Sequence, residues 1–232
     1  MEEIVEKIRS KGYWRVVIRP QNYNNECLSD LSECRDILRS SVVSLRGWDY
    51  PYYDFNKIKN TQEYITSLCD FDEVGISEYW RFYKSGQFLH LLSMSEDWAR
   101  HYSFIANKGI KGLDFIPALY RVTAVYEFAS RLVSKMLSPN DSVNVLIELY
   151  DTEKRELITS DISRNIYRHV CIIPNIKKPK TITVDEIISK SSEISIQVVT
   201  EIFETFNWVH VPVGLLMEEQ KKYLEKRSWS GI

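Results

Sequence analysis

Arginines alternate with aromatic and aliphatic side chains in two stretches of this sequence, a pattern that could serve recognition of nucleic acid. The stretch YWRVVIR contains Arg15 and Arg19, and the stretch EYWRFY contains Arg81 between Tyr79 and Tyr83. Because side chains alternate between the two faces of a β-strand, these residues are expected opposite the most apolar residues of each stretch. A sheet face with guanidinium groups and aromatic rings can hold phosphates and stack bases.

A further arginine belongs to the same hypothesis. Arg46 follows the segment SVVSL, in which Val43 and Leu45 alternate with polar residues as in a half-buried strand, and it comes shortly before Trp48. The alternative is that a helix covers this face and that carboxylates such as those of Asp49, Asp70 or Glu78 pair with the arginines. The nucleic-acid-binding face that we predict consists of Arg15, Arg19, Arg46, Tyr79, Arg81 and Tyr83.

A small acidic cluster offers a different chemistry. Asp70, Asp72 and Glu73 lie within four consecutive positions at the end of a predicted strand. Two-metal nuclease sites use such carboxylates together with others from elsewhere in the chain. A solvated turn has the same composition, so the cluster is compatible with both interpretations.

No motif in the sequence indicates catalysis by itself. The eight glycines form neither a GxGxxG nor a phosphate-loop pattern, and the patterns HExxH and GxSxG are absent. The four histidines are far apart, and His90, in an apolar segment, is predicted to be structural. The four cysteines form no CxxC pair. We therefore predict no catalytic residues, no metal site and no cofactor.

The composition is that of an ordinary globular protein. The chain has 232 residues, of which 44% are hydrophobic, and a formal net charge of −2. Without a general positive charge, binding to nucleic acid requires a local basic patch. The sequence has no apolar run of about 20 residues and no apolar signal segment near its start, which predicts a cytoplasmic protein without a membrane partner.

The pattern of elements predicts an α+β fold with a mixed, largely antiparallel sheet, packed helices and a helical C-terminal portion. A hairpin with a two-residue turn is expected at Ser85 and Gly86, and a long helix over residues 113–136. The KKPK segment at 177–180 is expected to be an exposed connection. We divide the chain into an α+β sheet domain, residues 1–160, and a mainly helical portion, residues 161–232, packed on the same domain.

A helix-turn-helix is a possible arrangement of residues 183–206. Thr183 and Glu186 have capping-box spacing, which predicts a helix start, and a second helix is predicted over about 196–206. Glu201 and Glu204 on the second helix would repel phosphates, and no glycine stands at the turn. The segment is therefore compatible with two interpretations, a pair of core helices and a DNA-binding motif.

Four strings in the sequence carry a resemblance to a protein group. GYWRVVIRP, LRGWDYP, YKSGQFLHL and LYRVTAVYEFASRL resemble a group of uncharacterised prokaryotic proteins. These share a WxVVIRP-like strand, an LRGW-aromatic-Pro corner and a helix ending in an FAxRL-like string. The resemblance covers roughly residues 12–150 and implies a prokaryotic, cytoplasmic origin, without an activity to transfer.

These observations lead to a functional hypothesis. We expect a non-enzymatic subunit that associates with nucleic acid or with a protein partner, within a prokaryotic antiviral defence or regulatory complex. The expected ligands are a protein partner and single-stranded nucleic acid. The alternatives are a metal-dependent nuclease with dispersed carboxylates and a helix-turn-helix DNA-binding regulator.

Overall fold

The computed structural model describes residues 2–24, 26–45, 48–107, 109–161, 164 and 166–225. Helices and strands are mixed along this part of the chain, which confirms the predicted α+β class. Its α-helices are α1 (Glu2–Arg9), α2 (Leu31–Ser41), α3 (Ser103–Ala106), α4 (Phe115–Val133), α5 (Val184–Glu204) and α6 (Val213–Glu225).

The strands form one large antiparallel sheet and two small pairs. The large sheet has seven strands in the order β11-β9-β1-β7-β6-β5-β4 within the described residues. Its strands are β1 (Tyr13–Pro20), β4 (Lys59–Asn60), β5 (Tyr64–Phe71), β6 (Ile76–Tyr83), β7 (Phe88–Ser93), β9 (Ser142–Tyr150) and β11 (Asn175–Thr183). The small pairs are antiparallel β2 (Val43–Leu45) with β3 (Trp48–Tyr50) and parallel β8 (Lys111–Asp114) with β10 (Arg155–Ile158).

The predicted hairpin is confirmed, but residues 84–87 connect its strands instead of the predicted two-residue turn. Strands β6 and β7 pair antiparallel, with Phe82 opposite Phe88, and Gly86 in the turn has a φ of 77°. A positive φ is easy for glycine and strained for residues with a Cβ atom. The turn therefore fixes the register of β6 and β7. Alternate residues of each strand then face opposite sides of the sheet.

One face of the large sheet, which we call the inner face, carries the main core. Trp14, Val16 and Ile18 on β1 are at most 1% exposed and belong to the same apolar cluster as residues of α4 and α5. Helix α4 confirms the long predicted helix, beginning where the Asp114 carboxylate accepts a hydrogen bond from the Ile116 amide. Because α4 is apolar on most sides, it lies within the core rather than on its surface.

The prediction for the KKPK segment is wrong. Instead of an exposed connection it lies in β11, an edge strand of the large sheet that pairs with β9. Pro179 is tolerated because an edge strand needs hydrogen bonds on one side only. The alternation of Ile176 and Ile182 with exposed residues is a strand signal that the charged KKPK string obscured.

The segment proposed as a helix-turn-helix forms the single helix α5. The helix start predicted at Thr183 is confirmed. The Thr183 hydroxyl accepts a hydrogen bond from the Glu186 amide. Only Lys190 has non-helical backbone angles, so the segment kinks but has no turn of several residues. Val198 and Ile202 are fully buried in the main core, so this half of the helix is not free to enter a DNA groove.

The main core joins both portions of the chain. Trp80 from β6 and Phe203 from α5 belong to one cluster of buried residues. In the described part of the chain, none of the helices combines the length and the apolar character that crossing a membrane requires.

Candidate functional site

The opposite side of the large sheet, which we call the outer face, collects most of the predicted binding residues. Arg15 and Arg19 on β1, and Arg81 and Tyr83 on β6, lie on this face because they alternate with the buried residues of the same strands. Only β7 separates β6 from β1, so the two groups of side chains are on strands about 10 Å apart.

Helix α1 covers one end of the outer face. Ile4 and Ile8 of this helix pack against Tyr79 and Leu91 in a separate small core. Tyr79 is consequently only 2% exposed. This corrects the prediction for Tyr79, whose ring has no free face on which a base could stack.

The remainder of the outer face is open and centred on an apolar row. The register places Leu89 opposite Val17, Val17 opposite Leu146, and Leu146 opposite Pro179. Arg81 on β6 extends this row, because it lies opposite Leu89. The row crosses five neighbouring strands, so an extended ligand could lie along it.

Arg81 is held among tyrosines. Its guanidinium donates hydrogen bonds to the hydroxyls of Tyr79 and Tyr83, and it lies 4.9 Å from the centre of the Tyr64 ring. The Tyr64 and Tyr83 rings are themselves 4.9 Å apart. Burial acts to lower the pKa of Arg81, but the hydrogen bonds with the tyrosines outweigh it and raise the pKa. The result is a fixed cation beside two half-buried aromatic rings.

Positive charge dominates the open part of the outer face. Arg15 and Lys177 both pair with Glu148, whose pKa is lowered because these two partners outweigh the effect of burial. Arg19 is exposed and has no ion pair or hydrogen bond to the described residues. The cations of the open part are Arg15, Arg19, Arg81, Lys177 and, on the edge strand β4, Lys59.

Two predicted features of the sequence do not join this surface. Arg46 lies outside the described residues. In the acidic cluster, the Lys7 ammonium binds Asp70 at 2.7 Å and Asp72 at 2.5 Å, since α1 packs beside the end of β5. Within the described ranges, no group of three or more histidine, cysteine, aspartate or glutamate side chains is placed to hold a metal ion.

A cavity of about 540 Å³ lies on the other side of the sheet. It is bounded by α4, α6, the β2–β3 pair and the segment after β10. Charged groups line it among apolar ones, and sequence reasoning predicted none of this arrangement. Its charged lining residues are Glu78, Asp114, Arg121, Asp161, Arg164 and Glu219.

Glu78 is a buried carboxylate at an inward position of β6. It is 3% exposed and accepts hydrogen bonds from Trp48 Nε1 at 3.3 Å, from the Tyr52 amide at 3.1 Å and from His90 Nε2 at 3.1 Å. His90 is fully buried, and its Nδ1 atom is 3.2 Å from the Tyr50 hydroxyl. Since a carboxylate only accepts, Nε2 of His90 carries a hydrogen in either charge state.

The hydrogen bonds keep Glu78 ionised. Burial acts to raise the pKa of Glu78, but the hydrogen bond and charge of His90, the Tyr52 amide and the Trp48 indole together lower it. Trp48 itself is half-buried and also contacts the rings of Tyr52 and Phe71. This network fixes the wall of the cavity on the sheet side.

Asp114 and Glu96 form a second buried acidic pair beside α4. Asp114 Oδ2 accepts hydrogen bonds from the Tyr102 hydroxyl at 3.1 Å and from the Ser160 amide at 2.9 Å. Glu96 Oε1 accepts from the Asp114 amide, while Glu96 Oε2 is buried without a hydrogen-bond partner among the described residues. Burial raises the pKa of Glu96, with the charge of Arg121 acting in the opposite direction.

The other end of the cavity is held together by an ion-pair network. Arg164 binds Glu219 at 2.8 Å and Asp161 at 3.0 Å, and Glu219 also accepts from Lys222 and from the Tyr120 hydroxyl. Although burial acts to raise it, these partners lower the pKa of Glu219 to about 2. The network ties α6 to α4 and to the segment after β10.

Replacing Glu219 by glutamine should remove stability that depends on pH. A carboxyl whose pKa is lower in the folded protein stabilises the fold above its unfolded pKa, and this contribution disappears as the pH falls through the folded value. At neutral pH we expect Glu219→Gln to be less stable than the parent by about 2–3 kcal/mol, and the difference to close as the pH approaches about 2. Urea unfolding over a pH series measures both.

Glu218, exposed on the same helix, supplies the matched control. Glu218→Gln should leave the stability difference near zero at every pH, as expected for an exposed charge. A Glu219→Gln protein with the same pH dependence as the parent would contradict the assignment of the network.

Comparison of the chain with protein-family models, with curated proteins and with solved structures finds no match.

The sequence contained one overlooked signal for the cavity. In the alternation of β6, Glu78 takes the same face as Trp80 and Phe82, so a carboxylate is predicted at a core position. A buried carboxylate requires partners, and this alone marks a polar site. Glu219 carries no comparable signal because it lies on an amphipathic helix where a charged residue is ordinary.

Proposed function

We propose that the protein binds single-stranded nucleic acid across the open part of its outer face. The observation that carries this proposal is the common placement of Arg19, Arg81 and the Tyr64–Tyr83 ring pair on one uncovered sheet surface. The guanidinium groups would contact phosphates, and the exposed side of the Tyr83 ring would stack a base.

Charge supports a nucleic acid over an uncharged partner. The open part has five cations and one carboxylate, Glu148, which two of those cations already neutralise. A protein of net charge −2 thus presents a locally positive surface. The apolar row through Leu89 and Val17 suits an extended ligand. Unpaired bases can contact an open sheet, whereas bases inside a duplex cannot.

Salt titration with labelled single strands tests the proposal. Affinity should fall with salt with a logarithmic slope of about 0.7 for each phosphate contacted. The Arg19→Ala/Arg81→Ala double variant should make the slope shallower by about one to two units. The control is Arg39→Ala/Lys190→Ala, which removes the same charge from exposed positions on α2 and α5; its slope should match that of the parent.

Tyrosine variants separate stacking from charge. Tyr83→Ala should weaken binding by about 1–3 kcal/mol, whereas Tyr83→Phe keeps the ring and should bind nearly as the parent does. Absence of binding by the parent at low salt would reject the proposal and favour a protein partner for this face. Equal salt slopes for both double variants would locate any binding elsewhere.

A further inference from the structure

The cavity on the inner side contains an arginine whose hydrogen-bonding capacity is largely unused. Arg121 of α4 lines the cavity and is half-buried. Its guanidinium makes one long hydrogen bond, 3.4 Å to the Ser93 carbonyl, and lies 5.3 Å from the centre of the Trp14 ring. No carboxylate of the described residues pairs with it. A guanidinium has five N–H donors, so most of them are available to a ligand.

The carboxylates around the cavity, in contrast, are already provided with donors. Glu78 accepts from Trp48, Tyr52 and His90. Asp114 and Glu219 have their own donors, and Asp161 pairs with Arg164. Among the charged groups that line the cavity and that the structure describes, Arg121 and Asp114 have no ion pair, and Asp114 already accepts hydrogen bonds from the Tyr102 hydroxyl and the Ser160 amide. The cavity therefore has room for a negatively charged hydrogen-bond acceptor beside Arg121.

The surroundings of Arg121 define the rest of the ligand. Pro117, Arg121 and Ala124 are spaced four and three residues apart, so they form one stripe of α4 that faces the cavity. Leu92 and Ile76 line the sheet side. A volume of about 540 Å³ is within the range of cavities that hold small organic molecules. The ligand should thus have an apolar body.

From these observations we infer that the cavity binds a small organic monocarboxylate, with its carboxylate on the Arg121 guanidinium and its apolar body against Leu92 and Ala124. A planar carboxylate matches the paired donors of a guanidinium. One guanidinium balances one negative charge, whereas the neighbouring carboxylates of Glu78 and Asp114 disfavour a phosphate dianion. This inference is independent of the proposed nucleic-acid face, which lies on the other side of the sheet.

Calorimetric titration with defined probes tests the inference. Phenylacetate and octanoate are the carboxylate probes, phenylacetamide is the neutral isostere, and phenyl phosphate and inorganic phosphate are the dianion probes. We expect at least one carboxylate probe to bind the parent protein at millimolar concentration or below. Phenylacetamide and both phosphates should bind more weakly.

Two variants identify the place of binding. Arg121→Gln should weaken carboxylate binding about ten- to hundredfold, as expected for loss of a charged hydrogen-bonded pair. Ala124→Phe should fill the cavity and abolish binding while leaving Arg121 in place; thermal unfolding checks that both variants fold. Failure of both carboxylates to bind, undiminished binding by Arg121→Gln, or tighter binding of phenyl phosphate than of phenylacetate would each overturn the inference.

Discussion

Replacing Arg155 by methionine is expected to lower the free energy of unfolding by about 3–5 kcal/mol. Arg155 is completely buried and binds both carboxylate oxygens of Asp97, at 2.8 and 2.7 Å. It also donates to the Gly112 carbonyl at 2.6 Å. Methionine fills a similar volume but leaves the Asp97 charge, only 11% exposed, without its main partner. Chemical denaturation at neutral pH measures the loss.

Two further variants separate the buried pair from ordinary surface charge. Lys111→Ala removes a cation that pairs with Asp151 on the same side of the molecule, but both partners are exposed, so a change of about 0–1 kcal/mol is expected. Adding Asp97→Asn to Arg155→Met should recover part of the lost stability because the unpaired charge is removed. A loss below about 1 kcal/mol for Arg155→Met would contradict the buried geometry.

The glycine beside this pair shows how close the packing is. The Gly12 amide donates to Asp97 Oδ2 at 2.9 Å. A Cβ atom at this position would collide with Arg155 Nη2 and would approach Asp97 Oδ2 to 2.7 Å. Position 12 therefore requires glycine because Arg155 occupies the space, and the site links the start of β1 to β10.

Local patterns predicted much of the fold. The apolar spacing of α4 spans nineteen residues, and the alternation in β6 and β7 surrounds a glycine turn, so both could be located without knowledge of their partners. Strand β11 could not be located in this way. Its central residues are lysines and a proline, which are typical of loops, and pairing with β9 decides their conformation.

Alternation also predicted part of the candidate surface. It placed Arg15, Arg19 and Arg81 opposite the core, where the structure has them, because strand periodicity is a local property. It could not predict that α1 packs across Tyr79, because α1 lies more than 70 positions earlier in the chain and the contact forms only in the tertiary structure. The cavity was out of reach for the same reason: it combines side chains from β6, α4 and α6.

Substitution of Glu78 by alanine is expected to lower the free energy of unfolding by about 3–5 kcal/mol. The change removes the acceptor for three donors, Trp48 Nε1, the Tyr52 amide and His90 Nε2. A buried donor left without a partner costs about 1–3 kcal/mol, and both Glu78 and His90 are buried. The loss should be largest above pH 4.5, because the lowered pKa keeps Glu78 ionised there in the folded protein.

The same position allows a graded test of whether the carboxylate or only its volume matters. Glu78→Gln preserves the shape but replaces one acceptor oxygen by a donor, which must face Tyr52, His90 or Trp48, so an intermediate loss of about 1–3 kcal/mol is expected. Glu63→Ala is the control, because Glu63 is exposed on the loop before β5 and its pairing with Lys84 is loose, at 3.9 Å; its effect should be about 0–1 kcal/mol. Equal stability of Glu78→Gln and the parent would mean that the donors find other partners. The sheet-side wall of the cavity would then not depend on a buried charge.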